Sequence, residues 1–177
     1  MKKVLVVFFL IVIYFALANM QGCSTYQQDS VAPLNAANPS SEEVIYGAGP
    51  QDVIEDYFFQ NQVMALNDLD ETVLQERFGI DAELYTEYYG KYADGRFGVS
   101  DIFILKPAPG KEDALKDALE NVRNMRISEF TNYNIYHSLE NAEDALIFRH
   151  GEYIIMVMTD EPEAVRDLIH KYLPVEE

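Results

Sequence analysis

Residues 145–174 read ALIFRHGEYIIMVMTDEPEAVRDLIHKYLP, and three kinds of local order follow one another along them. Ala145–Phe148 is rich in strand-forming residues, Arg149-His150-Gly151-Glu152 is a turn, and Tyr153–Met158 (YIIMVM) is a second strand. The second strand is apolar at nearly every position, which predicts a central strand covered on both faces. Asp160-Glu161-Pro162 then opens a helix. Its stripe of Ala164, Val165, Leu168, Ile169, Tyr172 and Leu173 recurs at helical spacing, and Pro174 stops it.

Upstream the same order of elements occurs once more. Glu83–Tyr92 (ELYTEYYGKY) is a tyrosine-rich strand, Ala93-Asp94-Gly95-Arg96 an Asp-Gly turn, and Val99–Leu105 (VSDIFIL) a second strand ended by Lys106-Pro107-Ala108-Pro109-Gly110. Lys111 to about Phe130 is a helix with its stripe at Leu115, Ala118, Leu119, Val122 and Met125; Glu112 and Asp113 lie at its positive end. A polar loop with Tyr133, Tyr136 and His137 joins the halves. Before both lies a helix from Pro50, with Val53, Ile54, Tyr57, Phe58 and Met64 on one face. A short helix capped by Asp70 runs to about Arg77, with Leu69 and Leu74 placed as a hydrophobic staple and Gly79 at its stop. The predicted fold is α+β: helix, helix, then strand–strand–helix twice, with an antiparallel sheet of about four strands and helices packed against it. No residue-level repeat accompanies the repeated order.

The N-terminus has a different character. Lys2 and Lys3 precede fourteen apolar residues, Val4–Leu17, and then Ala18-Asn19-Met20-Gln21-Gly22-Cys23. A basic start, an apolar run and small residues form the pattern of a secretory signal peptide. As a helix, fourteen residues rise about 21 Å, short of the ~30 Å hydrocarbon core, so a permanent membrane span is the weaker reading. Met20-Gln21-Gly22-Cys23 resembles the lipobox of bacterial lipoproteins, which implies cleavage before Cys23 and a diacylglycerol on its sulfur. Residues 1–22 are thus expected to be a lipoprotein signal peptide, 23–49 a flexible tether with lipidated Cys23, and 50–177 a single globular domain. The alternative is simple secretion, with cleavage after Ala18.

Lys2 and Lys3 are two of 13 basic residues, so residues 23–177 carry 11 bases against 30 acids, a net charge of −19. Such a charge repels nucleic acid and anionic headgroups, and no nucleic-acid partner is expected. With Cys23 as the one cysteine, no intramolecular disulfide can form.

Further residues carry a second resemblance. Phe78-Gly79-Ile80-Asp81, Ser100-Asp101-Ile102-Phe103-Ile104-Leu105-Lys106, Arg123 and Arg126 leading to Phe130 and Tyr133, and Gly151-Glu152-Tyr153-Ile154-Ile155-Met156-Val157 resemble, over about residues 50–173, an uncharacterised family of Gram-positive bacterial lipoproteins known only as a domain of unknown function. The resemblance implies a lipoprotein with one α+β domain and carries over no catalytic residue.

Motifs for chemistry are sparse. His137, His150 and His170 fall in a loop, a turn and a late helix without ligand spacing, so no metal or cofactor is expected. Gly98-Val99-Ser100-Asp101 lacks the second glycine of a nucleophile elbow, and Gly47-Ala48-Gly49-Pro50 lacks the Lys-Ser/Thr of a phosphate loop. Asn67-Asp68-Leu69-Asp70-Glu71 lacks the central glycine of a calcium loop, and capping accounts for Asp70. No catalytic residue is assigned. The expected function is a non-enzymatic binding or scaffolding domain, held to the membrane by its lipid and facing an unknown cell-envelope protein or ligand. A hydrolase using paired carboxylates is the alternative. Tyr85, Tyr88, Tyr89 and Tyr92 form the candidate partner surface. Strand alternation sends Tyr88 and Tyr92 one way and Tyr85 and Tyr89 the other, and Gly90 suits an edge or half-exposed strand.

Overall fold

The computed structural model describes residues 48–175. The signal peptide, Cys23 and nearly all of the tether lie outside the described residues.

Five antiparallel strands form one sheet in the order β1-β2-β3-β5-β4, with β1 Leu66–Asp68, β2 Tyr85–Ala93, β3 Asp101–Pro107, β4 Leu146–His150 and β5 Tyr153–Met158. The α+β fold and the antiparallel sheet are as expected. The extra strand, β1, is three residues long and polar at Asn67 and Asp68, too short to show a period. Strand β5 pairs with β3 on one side and β4 on the other. Ile154, Met156 and Met158 face one layer of core while Ile155 and Val157 face the other, which is why the run is apolar at every position.

Helices cover both faces. Helices α1 (Pro50–Gln60) and α4 (Pro162–Tyr172) bury Val53, Ile54, Tyr57, Val165 and Ile169 against Ile102, Ile104, Ile155 and Val157. Proline begins each, where its missing N–H costs nothing, and Asp52 reaches back to accept the Gly49 N–H at 2.7 Å. Helix α2 (Glu112–Phe130) packs Leu115, Leu119, Val122 and Phe130 on the opposite face. Asp70 caps as expected, its Oδ1 accepting the Val73 N–H at 2.7 Å. The turn it starts is wound as a π-helix over Val73–Arg77, and Gly79 closes it at φ +66°. The polar loop after α2 contains a further short helix, α3 (Ser138–Glu143).

The two hairpins differ. Between β4 and β5, His150 pairs with Tyr153, leaving Gly151-Glu152 as a two-residue turn with Gly151 at φ +55°. Between β2 and β3 the Asp-Gly pair makes no such turn. Asp94 instead caps a 3-10 turn at Gly95–Phe97, and β3 starts at Asp101 rather than Val99. Ser100 therefore lies in the connection and not inside a strand.

Candidate functional site

The connections 61–65, 94–100, 131–137 and 159–161 gather where β2 and β5 end and β1 and β3 begin. Among them lies a cleft of about 370 Å³ whose lining includes Tyr57, Met64, Phe97, Tyr136, Asp160 and Glu161. Asn61, which ends α1, and Ser100, which precedes β3, add polar groups. Six large apolar side chains are conspicuously exposed among the described residues, and Met64 (54%), Phe97 (40%) and Tyr136 (64%) of these line this one cleft. Scattered exposed apolar residues need no explanation; their clustering around a cavity makes this cleft the candidate site.

The backbone of the rim is held in uncommon conformations. Ala65, Tyr136 and His137 are the non-glycine residues with positive φ among those described, at 52°, 49° and 56°. All three lie in these loops, each held at a cost of order 1–3 kcal/mol that the surroundings must offset. The Ala65 carbonyl accepts the Asp94 N–H at 3.0 Å and the Asn67 amide at 2.9 Å. The Ser138 hydroxyl donates to the Ile135 carbonyl and accepts the Val99 N–H at 3.1 Å. Gly98, at φ +104°, lets the chain pass: a Cβ there would lie 2.9 Å from Ser138 Oγ and 3.5 Å from Tyr136 Cβ.

Charge in the cleft is negative. The lining holds Asp160 and Glu161 and neither lysine nor arginine. Asn141 Nδ2 donates to Asp160 Oδ1 at 2.7 Å and fixes that carboxylate. Burial raises the Tyr57 phenol above its ordinary pKa, and the charges of Asp160 and Glu161 push it further up. Thr159 Oγ1 is buried without a partner of hydrogen-bonding geometry.

Beneath the rim Asp101 and Arg126 form a fully buried pair. Arg126 donates to Asp101 from Nε at 2.8 Å and from Nη2 at 3.1 Å, to the Ala93 carbonyl at 3.0 Å and to Glu129 at 2.9 Å. Asp101 also accepts the Ala93 N–H at 3.1 Å. Burial pushes the Asp101 carboxyl up against the pull of Arg126. For Arg126, burial works against its charge, but Asp101 and Glu129 overcome it and hold the guanidinium protonated.

The four tyrosines do not form one row. Tyr85, Tyr88 and Tyr92 face the layer of α2, and Tyr89 faces that of α1 and α4. The alternation expected for Tyr85 fails because the β2–β3 register shifts between Tyr85 and Glu87, placing an extra residue in the strand. Tyr85 and Tyr92 are buried, and Tyr88 and Tyr89 are half-buried. Tyr89 donates to Glu87 at 3.2 Å, beside an ion cluster in which Lys106 bridges Glu87 (3.0 Å) and Glu152 (2.8 Å). Strand β1 covers residues 91–93 of β2, where Lys91 pairs with Asp68; no described strand pairs with the outer edge of Tyr85–Tyr89.

The histidines are dispersed. His137 precedes α3, while His150 Nε2 lies 2.6 Å from the Leu173 carbonyl with the His170 ring 4.9 Å away. Among the described residues no group of three or more His, Cys, Asp or Glu is arranged to hold a metal ion. The cleft escaped sequence reading because its lining comes from separate loops. Its one local sign was an apolar or aromatic residue in three of the four connections, Met64, Phe97 and Tyr136, and Met64 was expected on the face of α1, which in fact ends at Gln60.

No curated protein and no solved structure matches the chain. Residues 61–159, more than half of its length and all five strands, match the family model described as a domain of unknown function, DUF4358. The chain belongs to that family.

Proposed function

We propose that this DUF4358 protein is a lipid-anchored extracytoplasmic binding protein whose domain holds a cell-envelope partner without transforming it. The observation that carries the reading is the clustering of Met64, Phe97 and Tyr136, three of six exposed large apolar side chains among the described residues, around one cleft. The signal-like N-terminus and the lipobox resemblance at Cys23 support the location, as does the resemblance to Gram-positive lipoproteins. A hydrolase with paired carboxylates has less support. Such chemistry needs one free carboxyl with a raised pKa, and the fully buried Asp101 is committed to Arg126. At the cleft, Asp160 is engaged by Asn141.

Two acyl chains should hold the protein firmly where one would be marginal. Cys23→Ser should therefore move it from the membrane fraction to the medium, or stall its maturation. Wild-type protein that takes up no labelled fatty acid and appears free in the medium would refute the anchor. Crosslinked capture with the anchored protein should recover a partner, and recovery should fall when Phe97 is changed to serine.

A further inference from the structure

We propose that the cleft takes a short basic segment of a partner protein, with an apolar side chain in the cavity and a lysine or arginine at the Asp160–Glu161 rim. This deepens the binding reading above and rests on it.

Three observations converge. The lining carries two carboxylates and no base, so it is complementary to a cation. Phe97 and Tyr136 present aromatic surface to the same cleft, and aromatic faces attract ammonium and guanidinium groups; the chain's own Arg96 already lies over the Phe97 ring, 5.9 Å from its centroid. The volume, about 370 Å³, suits a side chain or two rather than a folded surface. A free small cation would fill the cavity and leave the exposed parts of Met64, Phe97 and Tyr136 in water. A peptide crossing the mouth would cover them, and the occupant is therefore peptide. Hydrogen bonds from Asp94 and Asn67 to the Ala65 carbonyl and from Ser138 to the Ile135 carbonyl tie the rim loops before binding, which lowers the ordering cost of association.

The test uses the full chain in non-ionic detergent and a short fluorescein-labelled peptide alternating lysine and leucine, read by anisotropy. A glutamate–leucine peptide and spermidine serve as competitors. Binding should weaken about tenfold or more in Asp160→Asn/Glu161→Gln and in Phe97→Ser. It should hold within about twofold in Asp113→Asn/Asp117→Asn, which removes two exposed acids near the far end of α2. Unchanged thermal midpoints establish that each variant is folded. Equal losses in the two acid pairs would reduce the effect to net charge and overturn the proposal. It is equally overturned if the glutamate peptide binds as well, if spermidine displaces the probe at matched charge, or if the lysine peptide does not bind. Self-association of the chain abolished by Phe97→Ser would make the occupant a second copy instead. If capture from cells succeeds but ignores these substitutions, the binding reading stands and this inference alone falls.

Discussion

Arg126 is the largest fully buried side chain of the described domain, and its charge is compensated at every nitrogen. Helical spacing did place it, four residues after Val122 and seven after Leu119 on the buried stripe; only its charge argued against burial. Removing it leaves Asp101 charged in the core. Arg126→Met should cost about 3–5 kcal/mol in urea denaturation. Adding Asp101→Leu should recover only part, because the Ala93 N–H and carbonyl both lose partners. A full recovery would show that the pair does not hold the end of β2. A second residue-scale outcome concerns Tyr153. Burial, with Glu87, Glu152 and Tyr89 close by, raises its phenol from 10.0 to about 12. Between those values the unfolded chain has lost a proton that the folded chain keeps, so stability falls as pH rises. Alkaline titration of stability should become shallower in this window in Tyr153→Phe. It should not become flat, because Lys106 and Tyr89 are raised as well.

At the scale of elements, β2 shows how a correct assignment can carry a wrong reason. Gly90 suits a half-exposed strand by composition, yet a Cβ there would lie 2.4 Å from the Ile102 carbonyl and 3.1 Å from Leu69 Cδ2. The glycine is required by close approach of β3, and backbone cannot step aside. Gly90→Ala should destabilise the domain by about 1–3 kcal/mol, as overpacking does. Gly95→Ala meets only the Glu129 side chain, a flexible chain end whose displacement costs at most its ion pair with Arg126. Its thermal midpoint should fall less than that of Gly90→Ala, and a larger loss than in Gly90→Ala would contradict the packing argument.

For the whole molecule, α1 lies outside the matched family segment but supplies Val53, Ile54 and Tyr57 to the layer it shares with α4. Each buried side chain of this size contributes about 1.5–3 kcal/mol. A chain beginning at Val44 should unfold at the wild-type temperature, whereas one beginning at Asn67 should lose most of its stability or fail to fold. Equal midpoints for the two would place α1 outside the cooperative unit. The described residues contain no helix long and apolar enough to cross a membrane; the proposed anchoring depends on Cys23.

The sequence by itself determined the order of the long elements, the α+β class, the helix starts at Pro50 and Pro162, the cap at Asp70, and the two-sided burial of Tyr153–Met158. These are properties of near neighbours: periodicity of 2 or 3.6 residues, missing N–H groups at proline, and side-chain caps three residues away. Only the tertiary structure decided that β5 inserts between β3 and β4 and that β1 forms at all. It also decided that Tyr85 turns to the face of Tyr88, and that Asp101 meets Arg126 from 25 residues away. The cleft belongs to this second class. Met64, Phe97, Tyr136 and Asp160 are unremarkable in their own loops, and they become one surface only because antiparallel strands return those loops to the same end of the sheet.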